Sequence, residues 1–354
     1  MERTPILGTE NPMEVGQGAF WNQTNIPPGR TSASKEHGTL RSRAYSGAED
    51  LTRVSRFLSE CTTLSPPQTY WHPGDFVWTL FQNTLFDAAR NVRLWEDGGG
   101  IVGVAILEEP DGVVIQISPD LRGSGTVERP MLLWAVECLT EETPVEKIRT
   151  THLETLGAQD DPTLQFLERI GFVRVGTHYL NMHRSLNDGS LNSPATPDGW
   201  SVRPVGPEDE WHRRVDLHRE VWRPSRVTME AYRRLRAAPD YDQNLDLVAV
   251  NGAGEFGAYC ICWYDPGSRS GLFEPVGTAK AHRRRGLGRA VMEEGLARLT
   301  ALGAKDALVT SEGRNDASRL LYESVGFRTV GIERLYEAKT DDLARSLTAS
   351  KGSR

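Results

Sequence analysis

The chain has 354 residues, 38% of them hydrophobic and 25% charged, which is room for two domains of about 150 residues each with extensions and the composition of an ordinary globular protein. Its net charge of -7 argues against broad nucleic-acid binding, where neutralisation of phosphates dominates affinity. No apolar run reaches the roughly 18 residues of a membrane helix, and the first residues lack the apolar core of a signal peptide. A cytoplasmic protein is expected, monomer or homodimer, with neither nucleic acid nor membrane as partner. The four cysteines, Cys61, Cys138, Cys260 and Cys262, have no second Cys/His pair at zinc spacing; they read as reduced core thiols, and no metal is expected.

In chain order, residues 1–40 are polar and punctuated by Gly and Pro, the pattern of a flexible arm. A first unit spans 41–185 and a second 200–340, and a tail of 341–354 follows. The stretch 186–199 between them is rich in Ser, Gly, Asn and Pro and reads as a linker. The two units repeat each other. Arg43–Asp50 resembles Arg203–Asp209, Pro119–Gly125 matches the region ending at Gly286, and Phe166–Phe172 matches Leu321–Phe327, at separations of about 160 residues. In the second unit a strand is predicted at 200–205 and helices near 208–222 and 228–237. Strands are predicted near 245–250, 256–264 and 306–311, with a last one near 327–337. Alternating strands and helices predict a mixed sheet with helices on both faces.

The chemistry concentrates in the second unit. Phe273–Thr278 reads as a strand, and Pro275 inside it marks a bulge or an edge, since proline cannot donate to a sheet ladder. The strand runs into Arg283, Arg284, Arg285, Gly286, Leu287, Gly288 and Arg289, after which Val291, Leu296 and Leu299 set a helical pattern. Unpaired amides and the positive end of a helix meet there, which suits a phosphate. A Walker loop fails because Arg289 follows Gly288 where Lys and Ser/Thr are needed. A dinucleotide fingerprint is weak because only Gly286 and Gly288 fit its three glycines. R-x-x-G-x-G is met by Arg283, Gly286 and Gly288. Downstream, Asn315 can cap a helix on which Ser318, Leu321 and Tyr322 share a face, and Gly326 suits the helix exit before Phe327.

The basic glycine loop and the Asn315–Phe327 segment resemble the GCN5-related N-acetyltransferase (GNAT) superfamily, and the repeat resembles its tandem two-domain members. The resemblance implies an α/β (α+β) fold of two domains, each a mixed, mostly antiparallel twisted sheet with helices on both faces. It implies acetyl-CoA as cosubstrate and a small-molecule amine as acceptor, attacked directly. The backbone of Val276, Gly277 and Thr278 is then expected to hold the pantetheine arm, and Arg283 to Arg289 the diphosphate. Asn315 and Ser318 belong to the same cofactor-binding set, and Tyr322 is the expected acid at the departing thiolate. Glu274 is the candidate base, direct or through water; by two-residue alternation it shares a strand face with Val276 unless the bulge flips it, and a solvated strand-end carboxylate is the competing reading.

The first unit departs from this pattern. Val127 stands where Gly288 stands, Glu128 where Arg289 stands, Asp160 where Asn315 stands and Leu167 where Tyr322 stands. A side chain at Val127 and a negative charge at Glu128 disfavour phosphate, so the first unit is expected to be structural or to wall the acceptor pocket. Trp211, Trp222 and Tyr232, and Tyr70, Trp71, His72 and Trp78 in the first unit, fit either pocket or core. A non-catalytic acyl-CoA sensor, or a structural paralogue, remains the alternative function.

Overall fold

A computed structural model of the chain describes residues 39–349 apart from 66–69, 109–111, 143–149, 156–161 and 188–194. The arm expected at 1–40 lies almost wholly outside the described residues, as does Asp160. The first half runs β1 (Arg41–Ala44), α1 (Ala48–Leu64), α2 (Pro73–Phe81), α3 (Ala88–Asn91), β2 (Val92–Asp97), β3 (Gly100–Glu108), β4 (Gly112–Ile117), α4 (Glu128–Glu142), β5 (Thr150–Thr155), α5 (Pro162–Arg169) and β6 (Val173–Ser185). The second half runs β7 (Trp200–Pro204), α6 (Glu208–Val221), α7 (Met229–Arg236), β8 (Asp246–Asn251), β9 (Phe256–Asp265), β10 (Ser270–Thr278), α8 (Leu287–Ala301), β11 (Asp306–Glu312), α9 (Asp316–Ser324), β12 (Arg328–Lys339) and α10 (Thr340–Ala349). The elements predicted for 200–337 all form, with ends shifted by a few residues.

The repeat extends to individual contacts. At the end of β1 the Arg43 guanidinium grips Asp50 in the first turn of α1, and the Ser46 amide donates to the same carboxylate. At the end of β7 Arg203 grips Glu210 in α6, and the Gly206 amide donates to it. Two-pronged guanidinium–carboxylate pairs of this kind fix direction as well as distance, so each sets the angle at which a first helix leaves a first strand. The Arg43 charge and the Ser46 donors hold the Asp50 carboxyl down at about 2.

One sheet of twelve strands runs through both halves, in the order β1-β2-β3-β4-β5-β12-β6-β11-β10-β9-β8-β7. Read from either end, the order repeats itself about the seam between β12 and β6. Each half gives its last strand to the other. β6 pairs antiparallel with β11, from Tyr179↔Glu312 to Ser185↔Asp306, and β12 pairs antiparallel with β5, from Arg334↔Thr155 to Lys339↔Thr150. The exchanged strands also pair with each other. Residues 341–349 are not the appended tail expected from sequence. They continue β12 as α10, whose Leu343 and Leu347 are buried in the first half's core beside Leu132, Leu139 and Leu164. Apolar residues at four-residue spacing on an otherwise polar helix need a core to cover them, and the β12 exchange carries them to one.

The helices divide between the two faces of the sheet. α1, α2, α6 and α7 share one face and one core, in which Phe76 and Leu58 of the first half meet Val215, Tyr232 and Leu235 of the second over Leu94, Ile261, Leu272 and Leu308. On the opposite face α4, α5 and α10 cover the first half, while α8 and α9 cover the second.

Because β6 and β12 hydrogen-bond across the seam, the linker is not what joins the halves. A chain cut at a protease site engineered into 188–194 is expected to elute in gel filtration as a single complex of both fragments without denaturant. Separate elution of the fragments would show that the exchanged strands do not hold.

Candidate functional site

The site begins with one extra residue in β10. Against β9 the register runs Phe273↔Cys262 and then Val276↔Cys260, so three steps on β10 oppose two on β9. This is a bulge, and it falls on Glu274–Pro275, where a residue without an amide hydrogen costs no ladder bond. The Trp263 indole Nε1–H donates to the Glu274 carbonyl at 2.7 Å and so takes up a backbone acceptor that the bulge frees. On its other edge β10 pairs with parallel β11 only over Ser270–Leu272, ending at Leu272↔Leu308. Beyond that the two strands part, and the edge groups of Glu274 to Thr278 have no β11 partner. The expectation that Glu274 and Val276 share a face fails. Leu272 lies in the core beneath α1, α2 and α7 and Glu274 lines the cavity on that side, whereas Val276 joins the core beneath α8 and α9. The bulge shifts the two-residue alternation by one step.

At the C-terminal end of β10 the chain turns through Arg284 (φ 63°) and Gly286 (φ 81°) before α8 begins. The first helical bond runs from the Ala290 amide to the Gly286 carbonyl, which leaves the amides of Leu287, Gly288 and Arg289 ahead of it at the helix N-terminus. Arg283, Arg284, Arg285 and Gly286 are exposed around them. Arg283 Nε reaches the Thr278 carbonyl at 3.4 Å, and Arg289 pairs with Glu293 at 2.8 Å. A side chain at Gly288 would meet Thr278 Oγ1 at 2.9 Å and Leu321 Cδ2 at 3.2 Å. The missing Cβ therefore lets α8 close onto β10 and α9. An added Cβ at Gly277 would meet Tyr259 at 2.5 Å.

The first half builds the same turn and fills it from within. Gly123 (φ 74°) and Gly125 (φ 77°) repeat the left-handed positions of Arg284 and Gly286. Here the Glu128 carboxylate, fully buried, accepts from both the Gly123 and Gly125 amides, the latter at 2.9 Å. An anion of the chain's own already sits on those loop amides. Val127 is buried against Gly103. β4 pairs with β3 without a register shift, so the first half has no counterpart of the β10 bulge. Leu167, at the position of Tyr322, is a core residue.

The α9 helix carries Tyr322. Asn315 Oδ1 caps it by accepting from the Ser318 amide at 3.1 Å, and Ser318 Oγ bonds the Asn315 carbonyl at 2.9 Å and Ser311 Oγ. Both residues expected to bind cofactor thus also fix the start of this helix. Gly326 leaves the helix at φ 87°. The Tyr322 ring is buried beside Phe327. Its hydroxyl has no hydrogen-bond partner among the described residues. Burial, and after it the nearby Glu274 carboxyl, hold the phenol well above its ordinary value, so it keeps its proton at neutral pH.

Glu274 opens into a cavity of about 650 Å³ on the face shared by the two halves. One wall is α2 of the first half, with Trp71, Asp75 and Trp78. Opposite it lie His218, Trp222 and Arg226 of the second half. Asp75 sits in the first turn of α2, where its Oδ2 accepts from the His72 amide at 2.8 Å, half of a capping box. α2 sits on β9 through Gly74, which lies so close to the Trp263 ring that a Cβ there would clash. The same Trp263 that secures the bulge thereby sets Asp75 near Glu274. Burial, and after it the Asp75 charge, raise Glu274 to about 8. Burial raises Asp75 to about 7 against the lowering effect of the His72 amide. Two carboxyls lining one cavity resist full ionisation. Burial holds His72 down at about 4, and burial with the Arg214 charge holds His218 at about 3, so both imidazoles are neutral. Sequence reasoning placed Trp71, His72 and Trp78 among pocket-or-core residues but passed over Asp75. Its sequence signal, an acid three residues after His72 at a Pro73 helix start, is that of a helix cap.

Residues 211–327 match the Acetyltransferase (GNAT) family. No protein of curated function matches the chain. Among solved structures, a tandem GNAT protein from the clavulanic acid biosynthesis pathway is 16% identical, with a TM-score of 0.60 over 85% of this chain and 98% of its own. A GCN5-related N-acetyltransferase from Sphaerobacter thermophilus is 18% identical, with a TM-score of 0.59 over 85% of this chain and 96% of its own. A GNAT-family acetyltransferase from Colwellia psychrerythraea is 11% identical, with a TM-score of 0.52 over 84% of this chain and 99% of its own. Residues 211–327 form a GNAT-family domain, and the described residues take the fold of a tandem GNAT protein.

Proposed function

We propose that the second half transfers an acetyl or similar short acyl group from acyl-CoA to the amine of a small molecule held in the cavity between the two halves. One observation carries this reading. The parted edge of β10, the open amides of 287–289 and the unpartnered Tyr322 hydroxyl lie on the second half's side, while Glu274 faces the cavity where an acceptor can approach. A hydroxyl that no protein group engages is free to donate to a ligand at that point.

The residues fit acetyl-CoA. The exposed arginines Arg283, Arg284 and Arg285 and the amides of Leu287, Gly288 and Arg289 suit a diphosphate. The open edge of Val276, Gly277 and Thr278 suits an extended amide-bearing arm, which pairs as a short strand. Acetyl-CoA supplies the acyl group as a thioester. Glu274, ionised, takes a proton from the incoming ammonium or from a water beside it, leaving a neutral amine that can attack. Tyr322 donates its proton to the departing sulfur and recovers one afterwards, so an ammonium and a thioester become an amide, a thiol and one released proton. The first half takes no CoA, because Glu128 already holds its loop amides; its part is to wall the acceptor cavity.

Calorimetry is expected to give one CoA per chain, and two would return the first half to the active set. Replacing Tyr322 with Phe should lower kcat by roughly a hundredfold or more, the scale of a lost general acid, with acetyl-CoA affinity within about threefold of wild type. An unchanged kcat would remove the acid role, and CoA binding without thiol release from any amine would leave a sensor. Because Glu274 is raised to about 8, kcat/KM should climb with pH through about 7 to 8, and Glu274→Gln should abolish that inflection. The folded protein also keeps the Glu274 proton that the unfolded chain loses near 4.5. Its contribution to stability is therefore complete below that value and is lost as pH rises through about 8. Urea midpoints at about pH 5 and about pH 9 should differ less in Glu274→Gln than in wild type.

A further inference from the structure

Among the described residues, the carboxyls of Asp75, Glu108, Glu274 and Glu333 and the guanidinium of Arg226 line the cavity. The two imidazoles that reach it, of His72 and His218, add no positive charge. His72 Nδ1 accepts from the Gly74 amide at 3.0 Å, and His218 is held neutral by burial and the Arg214 charge. Two of the carboxyls are poorly served by protein donors. Neither Glu274 carboxylate oxygen has a hydrogen-bond partner among the described residues. Asp75 uses Oδ2 for the His72 amide, and its Oδ1 has none. Indole rings of Trp71, Trp78 and Trp222 also line the walls; aromatic faces attract cations.

We propose that the acceptor is a polyamine-like cation, an amine carrying at least one further basic nitrogen, and that Asp75, supplied by the first half, is a carboxylate that selects it. This rests on the acyltransferase reading of the second half and names its substrate class. A carboxylate on the acceptor would add to the repulsion that Asp75 already exerts on Glu274. A neutral body would make no use of Asp75. A second ammonium relieves both, one nitrogen at Glu274 for reaction and another at Asp75 for position. At about 650 Å³ the cavity falls in the range that encloses an extended or ring-bearing molecule. The first half thus contributes specificity although it has lost its own anion site, and Asp75 acts as a positioning residue.

The test is calorimetric titration of the full-length protein, with and without CoA, using three probes of similar length: spermidine, octylamine and ω-aminooctanoate. Spermidine is expected to bind at least tenfold more tightly than either of the others. In Asp75→Asn that preference should shrink about tenfold through loss of spermidine affinity alone, with CoA affinity unchanged, and Asp75→Glu should restore most of it. The asparagine keeps an oxygen for the His72 amide, and melting midpoints check that α2 stays folded; should the variant not fold, the wild-type comparison decides. Spermidine binding no tighter than ω-aminooctanoate, or an Asp75→Asn protein with the wild-type preference, would overturn the proposal. CoA uptake in the same titrations is read separately. Its absence would sink the acyltransferase reading, whereas the amine preference reports on the cavity by itself.

Discussion

One surplus residue in β10, between Phe273 and Val276, sets the conditions for everything the second half can do. Without it β10 would stay in step with β9, and Val276 would share the face of Leu272 and Glu274. With it, Glu274 keeps the shared face while Val276 moves to the opposite core. The irregularity follows directly on the end of pairing to β11, so the parted edge and the Glu274 carboxyl are neighbours on one strand. Trp263 holds the arrangement from both sides, through its indole bond to the Glu274 carbonyl and its packing under Gly74. A change at that ring touches the bulge and the first half's helix together.

The exchange of β6 and β12 gives the bulge its second wall. A tandem protein with two separate sheets could hinge at its linker, and a cavity between its halves would change with every rotation. Here the backbone ladder is continuous across the seam, and the four helices on the cavity face share one hydrophobic core. Asp75 of one half can then stay close enough to raise Glu274 of the other. Such an effect needs a fixed separation, which a flexible linker alone does not supply.

Local signals in the sequence were strong where chemistry and chain geometry coincide. Pro275 announced a bulge or an edge, Asn315 the cap of α9 and Gly326 its exit, because each residue type has a backbone reason to be there. The repeat was legible because Arg43 and Arg203 each serve the same strand-to-helix corner. What stayed hidden is non-local. Nothing in residues 173–185 or 328–339 says which half they pair with, since a strand's pattern fixes its faces but not its neighbours. The role of 341–349 was hidden for the same reason, as Leu343 and Leu347 find a core only after β12 has crossed over. Asp75 reads as a helix cap, and it is one; that it also lines the cavity with Glu274 depends on where α2 lands. The face of Glu274 relative to Val276 required the structure as well, because a bulge's parity cannot be counted without the partner strand.

The two loops show how little separates a binding site from a structural turn. Arg284 and Gly286 in one half, Gly123 and Gly125 in the other, take the same left-handed conformations ahead of a helix, so both halves aim backbone amides at a common point. The outcome turns on what stands there. In the second half Gly288 keeps the helix start slim, and the charges around it are arginines. In the first, Glu128 folds back so that its own carboxylate meets the amides. A phosphate would have to displace an intramolecular anion that carries no cost of association, whereas a free ligand must give up translational and rotational freedom to take its place. Loss of the anion site thus stabilises the first half, and what that half retains of the shared site is the face that α2 presents to the cavity.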